Sequence, residues 1–327
     1  MIRSPSLRGL VRWMSAGATP APRWREHAQM LIRARVIVQA YYLIALYSLV
    51  GFVQRLQKSA IADPEAFLPQ WPVVWMAWLG LPLSAQLLIP LVILSGILGV
   101  IWWRRFWVRA LVALLLLQLV AFASSWGGVS HGYHELFWLS VCFLFLPDGD
   151  DESVDASRAL RMKFLTAVGG AIALILLFYT MSGVYKFWDA IPKLLFGEFN
   201  GFSPGAMAEI LAMRQQQTMT NPIYADIIMD RPLLGWPLFV GLYYVELVAI
   251  LIFFRPSLHV LWGASLILFH FGTIVFMEVA FSLHILFNAM LFLVSPFAVR
   301  HPPLTTIVAS LPWFGWPFRR YLGWRSS

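Results

Sequence analysis

The sequence predicts an all-α integral membrane protein, a polytopic bundle of about eight transmembrane helices with interfacial helices on its outer side. Of its 327 residues, 60% are hydrophobic and only 12% are charged, and the mean hydropathy is +0.72. Apolar runs of about 18 residues or more recur along the chain, and each is long enough to cross a hydrocarbon core about 30 Å thick. A soluble fold has too little interior to shelter so many apolar side chains from water.

The apolar runs, separated by charged and turn-forming residues, set the predicted spans. They cover 36–53, 84–103, 107–126, 134–147, 164–186, 236–254, 257–277 and 280–297. The run at 134–147 is the shortest of them. A transmembrane domain is therefore expected over 36–299, between basic tails at 1–35 and 300–327.

Basic residues set the predicted orientation. Arg33, Arg104, Arg158 and Arg255 all flank spans on the same side of the alternating crossings, and the positive-inside rule makes that side cytoplasmic. Both termini are then cytoplasmic, and a bacterial inner membrane is the expected location. The five arginines and no acid of the first 25 residues would also suit an organellar transit peptide.

The net charge of +8 does not indicate a nucleic-acid partner, because the basic residues flank spans instead of forming one folded face. Membrane lipid is the expected surrounding. The single cysteine, Cys142, excludes an intrachain disulfide or a dithiol redox pair. An acidic run over 148–152 is predicted to be a solvated turn without a function.

Two outer segments are long enough to carry structure of their own. In the first, Trp71, Trp75 and Trp78 stand at helical spacing, which is typical of a helix at the level of the lipid headgroups. The second, 188–235, contains a predicted helix over 204–219 and is expected to cap a cavity from outside.

Ionisable side chains at membrane depth are costly, by about 2.5 to 3.5 kcal/mol each, so each one requires a partner or a function. Lys186 ends the fifth predicted span at its outer side. Its ammonium can reach up to the headgroups, or the helices around it can exclude water and keep a neutral amine available as a base.

Histidines gather toward the same outer side. His131 and His134 precede the fourth span, where they could bind a metal, handle protons or substrate, or simply cap a helix. We predict no metal site, since a further ligand is not evident. His270 falls in the outer third of the seventh span and His284 just inside the eighth, so both are expected to share a site with Lys186.

Glu246 lies near the middle of the sixth span. A carboxyl group at that depth is expected to be protonated or paired, for example with a histidine of a facing span. It would form the floor of the cavity, or else be a neutral acid bonded to a neighbouring helix.

The segment Phe178-Tyr-Thr-Met-Ser-Gly-Val-Tyr-Lys-Phe-Trp188 resembles the core motif of the vitamin K-dependent gamma-carboxylase-like family, also called the horizontally transferred transmembrane (HTTM) domain family. Ser130-His-Gly-Tyr-His-Glu135 and Phe269-His270 are similar to two further stretches of that family. The resemblance covers most of residues 30–300 in organisation. It implies that Lys186 is the base that deprotonates reduced vitamin K, so that oxygen can add and form a strong base.

The resemblance implies further site residues and a cofactor. His131 and His270 become pocket residues, and we expect substrate-binding roles for His134, Tyr185, Glu246 and His284 as well. The cofactor would be reduced vitamin K or another isoprenoid quinol.

Two functions are therefore expected. The first is a quinol-dependent epoxidase or peptide-modifying enzyme that uses Lys186 as its general base. The alternative is a non-catalytic membrane factor that binds an exported peptide or protein and guides its maturation or export, and it would tolerate arginine in place of Lys186.

Overall fold

The computed structural model describes residues 24–59, 64–127, 131–220, 222, 224–315 and 317–318. All regular secondary structure in these residues is helical. The chain forms two compact units, and the boundary between Leu174 and Ile175 falls inside one long helix.

The first unit, Trp24–Leu174, is built from six helices and the beginning of a seventh. They are α1 (Trp24–Ser59), α2 (Trp75–Leu79), α3 (Leu81–Trp102), α4 (Phe106–Ser124), α5 (His134–Leu144), α6 (Asp151–Ala156) and α7 (Arg158–Leu195).

The second unit includes Ile175–Ser327 and begins with the remainder of α7. It continues with α8 (Ala206–Thr218), α9 (Ala225–Asp230), α10 (Pro232–Leu247), α11 (Ala249–Ile252), α12 (His259–Met277), α13 (Ser282–Asn288), a π-helical turn (Ala289–Leu293) and α14 (Leu304–Ser310).

Among the residues that the structure describes, five helical segments are long and apolar enough to cross a membrane, which indicates an integral membrane protein. They are Ala28–Lys58, Leu81–Trp102, Phe106–Ser124, Arg158–Leu195 and Pro256–Met277. The three other predicted spans fall on the shorter apolar helices His134–Leu144, Pro232–Leu247 and Ser282–Leu293.

The first unit is held together by close packing of α3 on α1. A methyl group at Gly96 would lie 2.6 Å from the side chain of Leu46, and one at Gly99 would lie 3.0 Å from Tyr42. The two glycines therefore let the helices approach closely, as small residues do in membrane bundles.

The acidic run after α5 is largely exposed, as the sequence predicted, but two of its acids also pair with arginines. Asp148 accepts a hydrogen bond of 2.8 Å from the buried Arg109, and Asp151 accepts hydrogen bonds from Arg104. Asp151 also forms an ion pair with Arg35, 3.2 Å away. The acids thus neutralise arginines at the helix ends, which a one-dimensional charge pattern could not reveal.

Asp150 has a local role in the same run. Its carboxylate caps α6 by accepting hydrogen bonds from the hydroxyl and the backbone N–H of Ser153, at 2.5 and 2.8 Å. These bonds favour the ionised form and lower the pKa of Asp150.

The end of α7 differs from the prediction. The fifth span was expected to stop at Lys186, whereas the helix continues to Leu195. An ion pair of 2.8 Å between Asp189 and Lys193, one turn apart, supports the extra turns, and Gly197 ends them with a φ of +71°. Lys186 therefore lies about 13 Å before the end of the helix, at a rise of 1.5 Å per residue.

The outer segments agree with the predictions in part. The helix expected over 204–219 is present as Ala206–Thr218. Of the tryptophan stripe, only Trp75 and Trp78 lie in a helix, the short α2, whereas Trp71 precedes it. Trp75 donates to the side-chain oxygen of Gln118 at 3.1 Å, and Trp71 and Trp78 are exposed.

Candidate functional site

The candidate site in the second unit begins with one face of α7. Tyr179, Ser182 and Lys186 stand three and four residues apart, which places them one above the other on the same side of the helix. The face therefore carries a phenol, a hydroxyl and an amine at the depth of a membrane-spanning helix.

Lys186 forms an ion pair with Glu246 of α10. Its Nζ lies 2.7 Å from Oε1 and 2.6 Å from Oε2 of the carboxylate. The side chain of Glu246 is 3% exposed, whereas that of Lys186 is 32% exposed. Ser182 contributes a long hydrogen bond of 3.5 Å to Oε1. The acid is thus buried, whereas the side chain of its lysine partner is partly exposed.

A glycine makes this pairing possible. A Cβ atom on Gly183 would lie 2.5 Å from the backbone nitrogen of Leu247 and 2.9 Å from the carbonyl carbon of Glu246. The backbones of α7 and α10 are therefore in direct contact, and the missing side chain brings Glu246 within reach of Lys186.

The break between α10 and α11 is stabilised from α7. At this point the helix is interrupted at Val248, and the hydroxyl of Thr180 accepts a hydrogen bond of 2.8 Å from the backbone N–H of Ile250. The bond satisfies a backbone donor that the interruption exposes. The end of α10, which carries Glu246, is thereby fixed against α7.

A second polar group meets the same face of α7 at Tyr179, seven residues before Lys186. The Tyr179 hydroxyl lies 2.5 Å from Nε2 of His270 on α12, and it accepts a hydrogen bond of 2.7 Å from Nδ2 of Asn288 on α13. All three side chains are buried. One phenolic oxygen therefore connects three helices of the unit.

Of the remaining predicted residues in this unit, His284 joins the second group and Tyr185 does not. The ring of His284 lies 5.0 Å from that of His270, centroid to centroid. Tyr185 is 77% exposed, because its position on α7 turns it away from the face of Tyr179 and Lys186.

His131 and His134 lie in the first unit. His131 begins a 3-10 turn, and His134 is the half-buried first residue of α5. Beside them, Glu135 is buried. Among the described residues, no cluster of three or more histidine, cysteine, aspartate or glutamate side chains could hold a metal ion.

An apolar cavity of about 560 Å³ lies between α8, α10 and α12. Its wall includes Met207, Leu242, Val245, Phe269 and Phe276. Val245 and Phe269 are the chain neighbours of Glu246 and His270, so the helices that carry the polar groups also form the cavity. Such a wall suits a hydrocarbon chain.

Tyr179, Ser182 and Asn288 belong to the site but were not among the predicted site residues. The spacing of Tyr179 and Ser182 from Lys186 was a usable signal, as was the separation of four residues between Asn288 and His284. Neither spacing identifies a partner on another helix. No family model, curated protein or solved structure matches this chain.

Proposed function

We propose that this protein is a membrane enzyme in which Lys186, paired with Glu246, removes a proton from an amphipathic substrate. The ion pair carries the proposal: both oxygens of a buried carboxylate lie 2.6–2.7 Å from the amine of a lysine whose side chain is 32% exposed. Burying such a pair costs desolvation energy that apolar residues would avoid, so its presence in an apolar bundle favours a functional role.

The pair supplies a base by an internal proton shift. Transfer of one proton from Nζ to the carboxylate leaves a neutral amine beside a neutral acid, an arrangement that a low-polarity surrounding tolerates. The amine lone pair then takes the proton of a substrate hydroxyl, and the electron pair of the broken O–H bond stays on oxygen. The new ammonium of Lys186 stabilises the resulting anion.

An isoprenoid quinol such as reduced vitamin K is the proposed substrate. It has an acidic hydroxyl for the amine and a hydrocarbon chain for the apolar cavity of about 560 Å³. The resemblance to the gamma-carboxylase-like family supports this choice, because Lys186 stands where that family has its quinol base. In this proposal, oxygen adds to the deprotonated quinol, and an exported peptide is the substrate that is finally modified at a bacterial inner membrane.

The test is turnover of a quinol by the purified full chain. The protein is incubated without oxygen with reduced menaquinone, oxygen is admitted, and products are measured by mass spectrometry. We expect quinone epoxide from the wild type and none from Lys186→Ala. Lys193→Ala is the matched control, since Lys193 lies on the same helix and is paired with Asp189, an acid whose side chain is 57% exposed.

A further variant distinguishes the base from a binding site. Arginine keeps the positive charge but does not give up its proton, so Lys186→Arg should be as inactive as Lys186→Ala. If folded wild type forms no epoxide and Lys186→Arg still supports maturation of an exported peptide, the enzyme proposal is wrong and the non-catalytic factor is favoured.

A further inference from the structure

Two buried polar atoms beside Tyr179, on neighbouring helices, lack a hydrogen-bond partner. These atoms are Nδ1 of His270 and Oδ1 of Asn288. His270 is only 4% exposed and Asn288 only 1% exposed. A buried polar atom without a hydrogen-bond partner destabilises the fold, and the bilayer core contains no water that could bind to it. Two such atoms on neighbouring helices therefore call for a ligand.

The other end of each side chain is fixed by the same atom. His270 Nε2 and Asn288 Nδ2 both meet the hydroxyl of Tyr179, at 2.5 and 2.7 Å. A side chain held at one end has little freedom to turn its other polar atom toward a protein group. Tyr179 therefore acts as a positioning residue that keeps the two unpaired atoms in place.

The contrast with His259 shows that this protein can satisfy a buried histidine fully. His259 lies on the same helix and is 0% exposed. Its Nδ1 lies 2.8 Å from the hydroxyl of Ser295, and its Nε2 lies 3.1 Å from the carbonyl oxygen of Ile252. The open nitrogen of His270 is thus a particular feature of its site and not a general property of histidines in this bundle.

The chemistry of the two atoms defines the ligand group. When Tyr179 donates its hydrogen to Nε2 of His270, the ring hydrogen is on Nδ1, which becomes a donor. Oδ1 of Asn288 is an acceptor. A hydroxyl group accepts one hydrogen bond and donates another, so a single hydroxyl complements both atoms.

We propose that His270 and Asn288 bind a hydroxyl group of the substrate, the phenolic hydroxyl of a hydroquinone, with His270 Nδ1 as donor and Asn288 Oδ1 as acceptor. This inference rests on the proposed function for the class of substrate. It assigns binding to residues that are separate from the proton acceptor, since Lys186 and Glu246 form a pair of their own.

The test measures binding without turnover. The probe is 2-methyl-1,4-naphthohydroquinone, added without oxygen to the full chain in lipid nanodiscs, and tryptophan fluorescence reports its Kd. The comparison ligand is the dimethyl ether of the probe, which has the same rings but cannot donate a hydrogen bond. We expect the ether to bind the wild type about tenfold more weakly, the effect of one lost hydrogen bond.

Variants assign the effect to the two residues. Asn288→Leu should weaken binding of the hydroquinone about tenfold and leave binding of the ether unchanged, because the ether has no hydrogen to donate to Oδ1. His270→Phe should weaken binding of both ligands, because the ether oxygen can still accept a hydrogen bond from Nδ1. His301→Phe is the matched control, because His301 is exposed and does not line the cavity. Equal binding of both ligands by the wild type would overturn the inference even if a variant failed to fold.

The outcomes separate this inference from the proposed base. Loss of turnover in Lys186→Ala, with hydroquinone binding unaffected by Asn288→Leu and His270→Phe, would overturn only the hydroxyl site. Weakened binding in both variants, together with normal turnover in Lys186→Ala, would establish the hydroxyl site and overturn the base.

Discussion

At the scale of single residues, Lys186 and Glu246 each account for the presence of the other's charge in an apolar bundle. Each charge alone would be costly at the depth of a membrane helix, and each removes that cost from the other. The pair joins residues 60 positions apart in the chain. The sequence indicated that Glu246 needed a partner, and the structure shows that the partner is Lys186, not the histidine given as an example.

This pairing predicts a strongly non-additive effect on stability. Lys186→Met should lower the free energy of unfolding by about 3 kcal/mol, because it leaves a buried carboxylate without a counter-ion. The double variant Lys186→Met/Glu246→Leu should recover most of that loss, since neither charge remains. Unfolding in detergent by thermal or denaturant titration measures both effects.

The control for this cycle is the exposed pair of Asp189 and Lys193 on the same helix. Its removal should change the free energy of unfolding by less than about 1 kcal/mol, as for other surface pairs. If the two substitutions at Lys186 and Glu246 proved additive, the ion pair would not exist in the folded protein.

At the scale of elements, the contact between α7 and α10 decides the site. Gly183 lies one turn before Lys186, where the backbone of Leu247 leaves no room for a side chain. The same helix carries Thr180, which fixes the interruption after α10. The geometry of the pair thus depends on two small side chains that carry no charge.

Gly183→Ala should therefore separate the two helices. The added carbon would lie 2.5 Å from a backbone nitrogen, which cannot move aside as a flexible side chain can. We expect a loss of stability of about 1–3 kcal/mol and a loss of quinol turnover comparable to that of Lys186→Ala. Melting temperature and turnover, measured on the same preparation, test this expectation.

Gly170→Ala is the matched control for this substitution. Gly170 lies on the same helix with nothing within 4 Å of an added carbon. Alanine there should stabilise the helix by about 0.5–1 kcal/mol. A Gly183→Ala protein as stable and active as Gly170→Ala would contradict the close contact between α7 and α10.

At the scale of the whole molecule, orientation in the membrane is the property to test. The positive-inside rule predicts that the segment after α5 is cytoplasmic and that α8 lies on the outer side. Glu152 and Gln216 are exposed residues of these two segments. In a chain carrying Cys142→Ser, we expect a membrane-impermeant maleimide to label Gln216→Cys in spheroplasts, and Glu152→Cys only after the membrane is opened. The reverse pattern would invert the topology.

The membrane character of this protein follows from its sequence alone. Hydrophobicity is a local and additive property, so the apolar runs at the eight predicted spans could be recognised one by one, and each overlaps an apolar helix. The length of each helix does not follow from hydrophobicity in the same way, because only five of these helices are long enough to cross a membrane. Lys186 could be singled out for the same local reason, as a charge in an apolar run.

Only the tertiary structure decided which side chains meet. Glu246 is 60 positions away from Lys186, and Asn288 is 109 positions away from Tyr179. Helical spacing predicts which face of a helix carries a side chain, but it does not predict which helix packs against that face. That choice depends on how closely backbones can approach, which at this site is set by the absent side chain of Gly183. The sequence therefore determined that this is a helical membrane protein with an unusual lysine, and packing determined that the lysine has a buried acid beside it.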